Sequence, residues 1–148
     1  MLFLASDHAG FQLKESLKKN LAKHGIEFED LGCDSAKSCD YSDFGHKLAA
    51  KVLENLENRG IGICGSGHGI AMALNRHPKI RAVRCVSIMD AELARKHNDA
   101  NILVLAGRMT EPNLAGEILA KFLATEFEGG RHEERVKKIE ISKKISNF

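Results

Sequence analysis

The sequence predicts an α/β fold: a mainly parallel sheet of five strands with helices on both faces. Two observations carry that prediction. Short apolar runs alternate with longer amphipathic stretches, the pattern that lays strands parallel and covers both faces of a sheet. The 148 residues show no internal repeat and no linker-like segment, so 1–148 reads as one domain. A chain of this size buries roughly 70% of its unfolded surface without needing a staple.

The elements follow in order. LFLAS (2–6) reads as a short buried strand. Phe11, Leu13, Leu17 and Leu21 recur on one helical face with lysines between them, and Gly25 ends that helix. IEFEDL (26–31) alternates as an edge strand does, and residues 32–42 form a polar loop. Phe44, Leu48, Val52 and Leu53 mark a second helix. IGIC (61–64) is a third strand running straight into a glycine turn, with a short helix from near Gly69 towards Asn75. IRAVRCV (80–86) is a fourth strand, followed by a helix over about 90–97, and ILVLA (102–106) is the fifth. Leu114, Ile118, Leu119, Phe122 and Leu123 line the next helix, with Thr110 as its cap and Pro112 in its first turn. Gly129–Gly130 breaks the chain, and RHEERVKKIEISKK beyond it reads as part of a charged C-terminal helix and tail over 130–148. The pattern leaves the strand order open.

Composition narrows the class. Hydrophobic content of 43% and charged content of 28% are those of an ordinary globule. A net charge of +2, one tyrosine, no tryptophan and no basic run disfavour a nucleic-acid partner. No apolar stretch approaches the ~20 residues that span a membrane. The N-terminal MLFLASDHAG reaches charge too soon for a signal peptide, which points to the cytoplasm. Cys33, Cys39, Cys64 and Cys85 have no C-x-x-C spacing and read as free thiols in a reducing compartment.

Ligands of such sheets sit beyond the carboxyl ends of the strands. The first strand ends at Ser6-Asp7-His8, the third at Cys64-Gly65-Ser66-Gly67-His68-Gly69. The glycine turn is not a dinucleotide fingerprint, because Ile70 stands at the third glycine position. It is not a P-loop, since no Gly-Lys-Ser/Thr follows, and a cysteine phosphatase would carry arginine near Ile70. It is not a G-x-S-x-G elbow either, because residue 64 is cysteine. What remains is a backbone nest at a helix N-terminus, able to hold an oxyanion with the Ser66 hydroxyl as an added donor. A thiol beside such amides is activated, so Cys64 is a candidate base or nucleophile. The plain structural alternative is a small buried residue at a strand end.

Other polar residues carry weaker signals. His8 either contacts a ligand or caps the next helix. His68 reads as a solvated turn residue. A metal site of Cys64, His68 and His97 lacks zinc-like spacing, so no metal is expected. Cys33, Cys39 and Cys85 fill space. Arg131 and Arg135, four apart, share a helix face and could clamp a phosphate, although on their own, with Glu133 and Glu134 between them, they read as a solvated face.

Five segments resemble the type B ribose-5-phosphate isomerases: SDHAG (6–10), DYSDF (40–44), ICGSGHGIAMALN (63–75), RKHNDANIL (95–103) and EFEGGRHEERV (126–136). That family also includes allose-6-phosphate and galactose-6-phosphate isomerases. The match is collinear from Leu2 to about Ile139. The resemblance implies a three-layer, Rossmann-like α/β/α sandwich acting as a homodimer, sometimes a tetramer, in the pentose phosphate pathway.

It also implies roles. Cys64 resembles the base that moves a proton between two sugar carbons; members lacking it use a glutamate where this chain has Ile70. Gly65, Ser66, Gly67, His68 and Gly69 resemble the loop that stabilises the enediolate, with Ser66 counted as catalytic. His97 resembles the acid–base group that opens the sugar ring, with Asn98 beside it. Asp7, His8 and Tyr41 resemble sugar contacts. Arg108, Arg131 and Arg135 resemble phosphate ligands, which His8 joins. No cofactor is implied. Ser66 stands where threonine is common, His68 where an apolar residue is common, and Asp40-Tyr41-Ser42 replaces D-Y-P. A hexose phosphate substrate, or a noncatalytic sugar-phosphate or nucleotide sensor that does not need Cys64, stays open. Cys64 and His97 are further expected to lie apart in one chain and to meet across a twofold axis.

Overall fold

A computed structural model of the chain describes residues 1–140. Five strands form one sheet: β1 (Leu2–Ser6), β2 (Phe28–Asp30), β3 (Arg59–Cys64), β4 (Ala82–Arg84) and β5 (Ile102–Ala106). All pairings are parallel, and the order is β2-β1-β3-β5-β4. The helices between them are α1 (Phe11–Lys23), α2 (Tyr41–Leu53), α3 (His68–Leu74) and α4 (Ile88–Asn98), and α5 (Pro112–Ala124) follows β5.

Two apolar layers sandwich the sheet, separated by the period-two alternation of its strands. Leu2, Leu4, Ile61, Ile63, Leu103 and Leu105 face the side covered by Leu13, Leu17, Ala94, Ile118 and Phe122 of α1, α4 and α5. Phe3, Ala5, Cys64, Ile102 and Val104 face Leu48, Val52, Ile70 and Leu74 of α2 and α3. This is the three-layer α/β/α sandwich, with the helix stripes turned to the sheet except at Leu53, which is exposed at the end of α2.

From β1 the chain steps outward to β2, returns past β1 to β3, and then builds the other half of the sheet. The turns after β1 and β3 therefore diverge, opening a crevice at the carboxyl edge between two neighbouring strands. In open parallel sheets this is where ligands bind.

Several boundaries differ from the expected ones. β2 and β4 each keep three residues, because an edge strand is paired on one side alone. The cap of α5 is not Thr110: its amide closes a turn onto the Ala106 carbonyl at 2.9 Å, and the chain enters the helix through an extended Glu111 with Pro112 first in the helix. The helix after β4 starts earlier than expected, at Ile88. Ser87 accepts from the Asp90 amide, and Asp90 accepts from the Ser87 amide, a complete capping box. The expected C-terminal helix is a 3-10 turn (Gly130–His132) followed by a five-residue helix, α6 (Glu133–Lys137). Residues 141–148 of that expected segment lie outside the described residues.

Candidate active site

Three loops meet at the carboxyl edge and are tied by backbone bonds. The Asp7 amide donates to the Ile63 carbonyl (3.1 Å), Gly107 to Cys64 (2.8 Å) and Arg108 to Gly65 (3.1 Å). Gly107 has no room for a side chain, since a Cβ there would sit 2.5 Å from the Ala9 carbonyl oxygen. The loops after β1, β3 and β5 thus form one surface.

Cys64 closes β3 and is 3% exposed. Gly67 behind it adopts φ +80°, the left-handed geometry that glycine takes at little cost. The turn folds the amides after Cys64 into a concave nest. Among the described residues the amides of Ser66 and Gly67 have no hydrogen-bond acceptor, whereas the His68 amide donates to Ser66 Oγ at 3.3 Å. His68 is exposed as the first residue of α3.

Neighbouring elements supply the rim. A Cβ at Gly69 would lie 2.6 Å from the ring of Tyr41, so the first residue of α2 covers the loop. A Cβ at Gly65 would lie 3.4 Å from Arg108 Nη1, which places that guanidinium against the loop. Asp7 is buried, and its Oδ1 accepts from the Gly10 amide at 2.9 Å. Asp7, not His8, therefore braces the turn before α1. The Nδ1 of His8 reaches the Cys39 backbone instead, 3.1 Å from its oxygen and 3.3 Å from its nitrogen.

The remaining expected residues are elsewhere. His97 and Asn98 end α4, next to Arg95, which donates to the Ala100 carbonyl just before β5 (2.6 Å). They stand at the amino edge of the sheet. The chain after α5 packs there too: the Glu128 amide donates to the Lys96 carbonyl, and His132 stacks on His97 with ring centroids 4.4 Å apart. Burial, then the charges of His97 and Arg131, hold the His132 imidazole below its usual value. Arg131 and Arg135 are both exposed, but they do not share one α-helix. Arg131 belongs to the 3-10 turn and Arg135 to α6, because the Gly129–Gly130 break winds the chain tightly first.

A metal centre of Cys64, His68 and His97 is not assembled within the chain. The metal-donor cluster among the described residues is His97, Glu128 and His132, whose donor atoms lie within 4.8 Å of one another. Its two imidazoles are stacked at an interplanar angle of 13°, so their lone pairs do not converge on one point. The other thiols suit packing roles: Cys33 and Cys85 are buried, and burial pushes the Cys85 thiol up to about 12. Cys39, half-buried, is also pushed up, first by burial and then by Cys33.

Sequence reasoning missed two residues. Arg84 ends β4 and donates from Nε to the Ser66 carbonyl at 2.7 Å. Its signal was an arginine interrupting the apolar run IRAVRCV at a strand's carboxyl end. His132 is 5% exposed, and nothing in its local pattern announced burial.

Comparison with known proteins gives the family and the fold. A family model described as Ribose/Galactose Isomerase matches residues 2–139. Ribose-5-phosphate isomerase B of Escherichia coli is 39% identical over 133 residues, covering 90% of this chain and 89% of that protein. The crystal structure of a ribose 5-phosphate isomerase from Thermotoga maritima is 48% identical and superposes with a TM-score of 0.92, covering 94% of this chain and 96% of that one. Ribose-5-phosphate isomerase B from Mycoplasma genitalium, solved with bound ribulose 5-phosphate, is 39% identical with a TM-score of 0.89 over 93% and 92% of the two chains. No described helix is long and apolar enough to cross a membrane.

Proposed function

The chain belongs to the ribose/galactose isomerase family, and from that premise we propose that it interconverts ribose 5-phosphate and ribulose 5-phosphate through a cis-enediolate. One observation carries this reading: a buried thiol, Cys64, closes the central strand immediately before a nest whose Ser66 and Gly67 amides have no acceptor among the described residues. The Mycoplasma genitalium relative, solved with the ketose product, supports the choice of pentose.

The chemistry assigns roles. The ring must open first, and His97 exchanges the ring-oxygen and hydroxyl protons, with Asn98 beside it. The Cys64 thiolate then takes the proton from C2 of the aldose. The electron pair left behind forms the C1–C2 double bond, and the carbonyl oxygen gains negative charge. Amides of the Gly65–Gly69 loop and the Ser66 hydroxyl hold that oxygen where its charge grows, which lowers the barrier. The O2 hydroxyl proton passes to O1, which moves the negative charge to O2, and Cys64 returns its proton to C1 as the C2 carbonyl forms, giving the ketose. Asp7, His8 and Tyr41 hold the sugar hydroxyls, and Arg108, Arg131 and Arg135 hold the phosphate.

His97 and Cys64 act on one sugar only if His97 comes from a second copy of the chain. The working unit is therefore a homodimer with shared sites. All steps are proton transfers, so the reaction calls for no redox cofactor. Such an enzyme works in the cytoplasm, in the pentose phosphate pathway.

The test is direct. The purified protein is given ribose 5-phosphate, allose 6-phosphate or galactose 6-phosphate, and ketose formation is followed. The expected result is highest kcat/KM with ribose 5-phosphate and loss of about 10²–10⁴-fold in kcat for Cys64→Ala, the range of a positioned proton-transfer group. Higher kcat/KM for either hexose phosphate overturns the pentose assignment. Tight binding of ribose 5-phosphate with no turnover of any of the three makes the protein a sensor.

A further inference from the structure

Arg84 touches the glycine loop yet has no part in the chemistry described above. It is the last residue of β4, half-buried, beside Val104 of β5. Its Nε donates to the Ser66 carbonyl at 2.7 Å. Its aliphatic stem lies against Gly67, where a Cβ would meet Arg84 Cδ at 3.1 Å and Cγ at 3.3 Å. Nη2 extends towards Met109 Sδ at 4.0 Å. Among the described residues no carboxylate lies within 4.0 Å of this guanidinium, so an ion pair does not account for its place.

We propose that Arg84 is a positioning residue for the isomerisation, fixing and polarising the Ser66–Gly67 peptide so that the Gly67 amide faces the oxygen that gains charge. The proposal rests on the isomerase reading. In a trans peptide the carbonyl and the amide of one plane point in opposite directions. A carbonyl held on the Arg84 side therefore turns the Gly67 N–H to the other side. That amide has no acceptor among the described residues, so it is available to a ligand. A charge-assisted bond on the oxygen also draws density through the peptide and strengthens the N–H as a donor. Arg108 stands against Gly65 on the other flank, so two guanidinium groups bracket the loop.

The effect belongs to the transition state, because the substrate carbonyl carries little charge before the proton leaves. Arg84→Met keeps the stem against Gly67 and removes the charge and donors. Arg84→Lys keeps a charge and a donor on a flexible stem. For Arg84→Met the expected kcat falls about tenfold while KM stays within about twofold, and Arg84→Lys recovers part of the loss. A hydroxamate analogue of the enediolate should bind Arg84→Met about tenfold more weakly. Ribitol 5-phosphate, which has no carbonyl, should bind both forms equally. The ratio of the two affinities, measured by calorimetry on folded protein, separates positioning from simple loss of stability. An unchanged kcat, a raised KM at constant kcat, no recovery with lysine, or equal weakening of both ligands overturns the proposal. Failure of the isomerase reading has a different signature, the absence of turnover in the unsubstituted protein.

Discussion

Cys64 and His97 stand at opposite edges of one parallel sheet. Cys64 pairs with Ala106, the last residue of β5, whereas His97 lies in the last turn of α4, two residues past Arg95, whose Nη1 donates to the Ala100 carbonyl that precedes β5. The five residues of β5 separate the two levels, roughly 15 Å at 3.3 Å per residue. No side-chain rotation closes that distance, so a site needing both residues needs two chains. Subunit complementation tests this. Cys64→Ala and His97→Ala homodimers should each be nearly inactive. Refolded together, about half the dimers are hybrids with one intact site of two, giving at most about a quarter of the unsubstituted activity. Hybrids that form without restoring activity would place both residues in one subunit's site.

The phosphate ligands should affect binding more than turnover. A phosphate is held alike in the ground state and the transition state, so its contacts lower both energies together. Arg131→Ala and Arg135→Ala should each raise KM by about tenfold or more while kcat falls less. Unphosphorylated ribose should be a poor substrate for the same reason. An unchanged KM in both variants would remove these residues from the site.

Much of this organisation was legible from local pattern, and the part that was not has a physical cause. β1, β3 and β5 are buried on both faces and appear as uninterrupted runs ending at Ser6, Cys64 and Ala106. The nest was readable because glycine spacing reports backbone geometry directly. Strand order was not, since apolar runs say that a strand is buried but not which neighbour it pairs with. Arg84 and His132 were missed because their partners, Ser66 and His97, are 18 and 35 residues away in sequence, and long-range contacts leave no periodic trace. A spacing of four puts Arg131 and Arg135 on one helix, but the preceding glycines wind the first turn as a 3-10 helix and leave only Arg135 in α6.

Acid should weaken the fold partly through Asp30. Burial alone would raise its carboxyl group, but bonds from Lys14, Lys18 and the Gly32 amide outweigh that and hold it below the ordinary 3.8. A carboxylate lowered in the folded state stabilises above its unfolded value and loses that contribution as pH falls through the folded one. Asp30→Asn should therefore unfold more readily at neutral pH, because the side chain of Lys14 is 0% exposed and loses its counter-ion. The gap to the unsubstituted protein should narrow below about pH 4. Urea titrations across this range check it, and parallel curves at every pH would show that Asp30 is not part of the acid response.

Gly107 holds the loop after β5 against the loop after β1, and the two glycines Gly107 and Gly25 separate crowding from backbone conformation. A Cβ at Gly107 would lie 2.5 Å from the Ala9 carbonyl oxygen and 2.8 Å from Gly10 Cα, both backbone atoms that no rotamer change can move. Gly25 sits at φ +67° with nothing within 4 Å of an added Cβ, so alanine there meets conformational strain and no clash. Gly25→Ala should cost about 1–2 kcal/mol, the penalty of a left-handed residue, and leave kcat/KM unchanged. Gly107→Ala should cost about 1–3 kcal/mol, as overpacking does, and must also push the Ala9 segment away. That segment carries Asp7 and His8, so activity should fall in fully folded protein, by about tenfold or more if a shift near 1 Å reaches the sugar contacts. Thermal melts give the two stabilities, and kinetics at a temperature well below both midpoints gives the site effect. Equal kcat/KM in the two variants would mean that the loops after β1 and β5 do not position the sugar together.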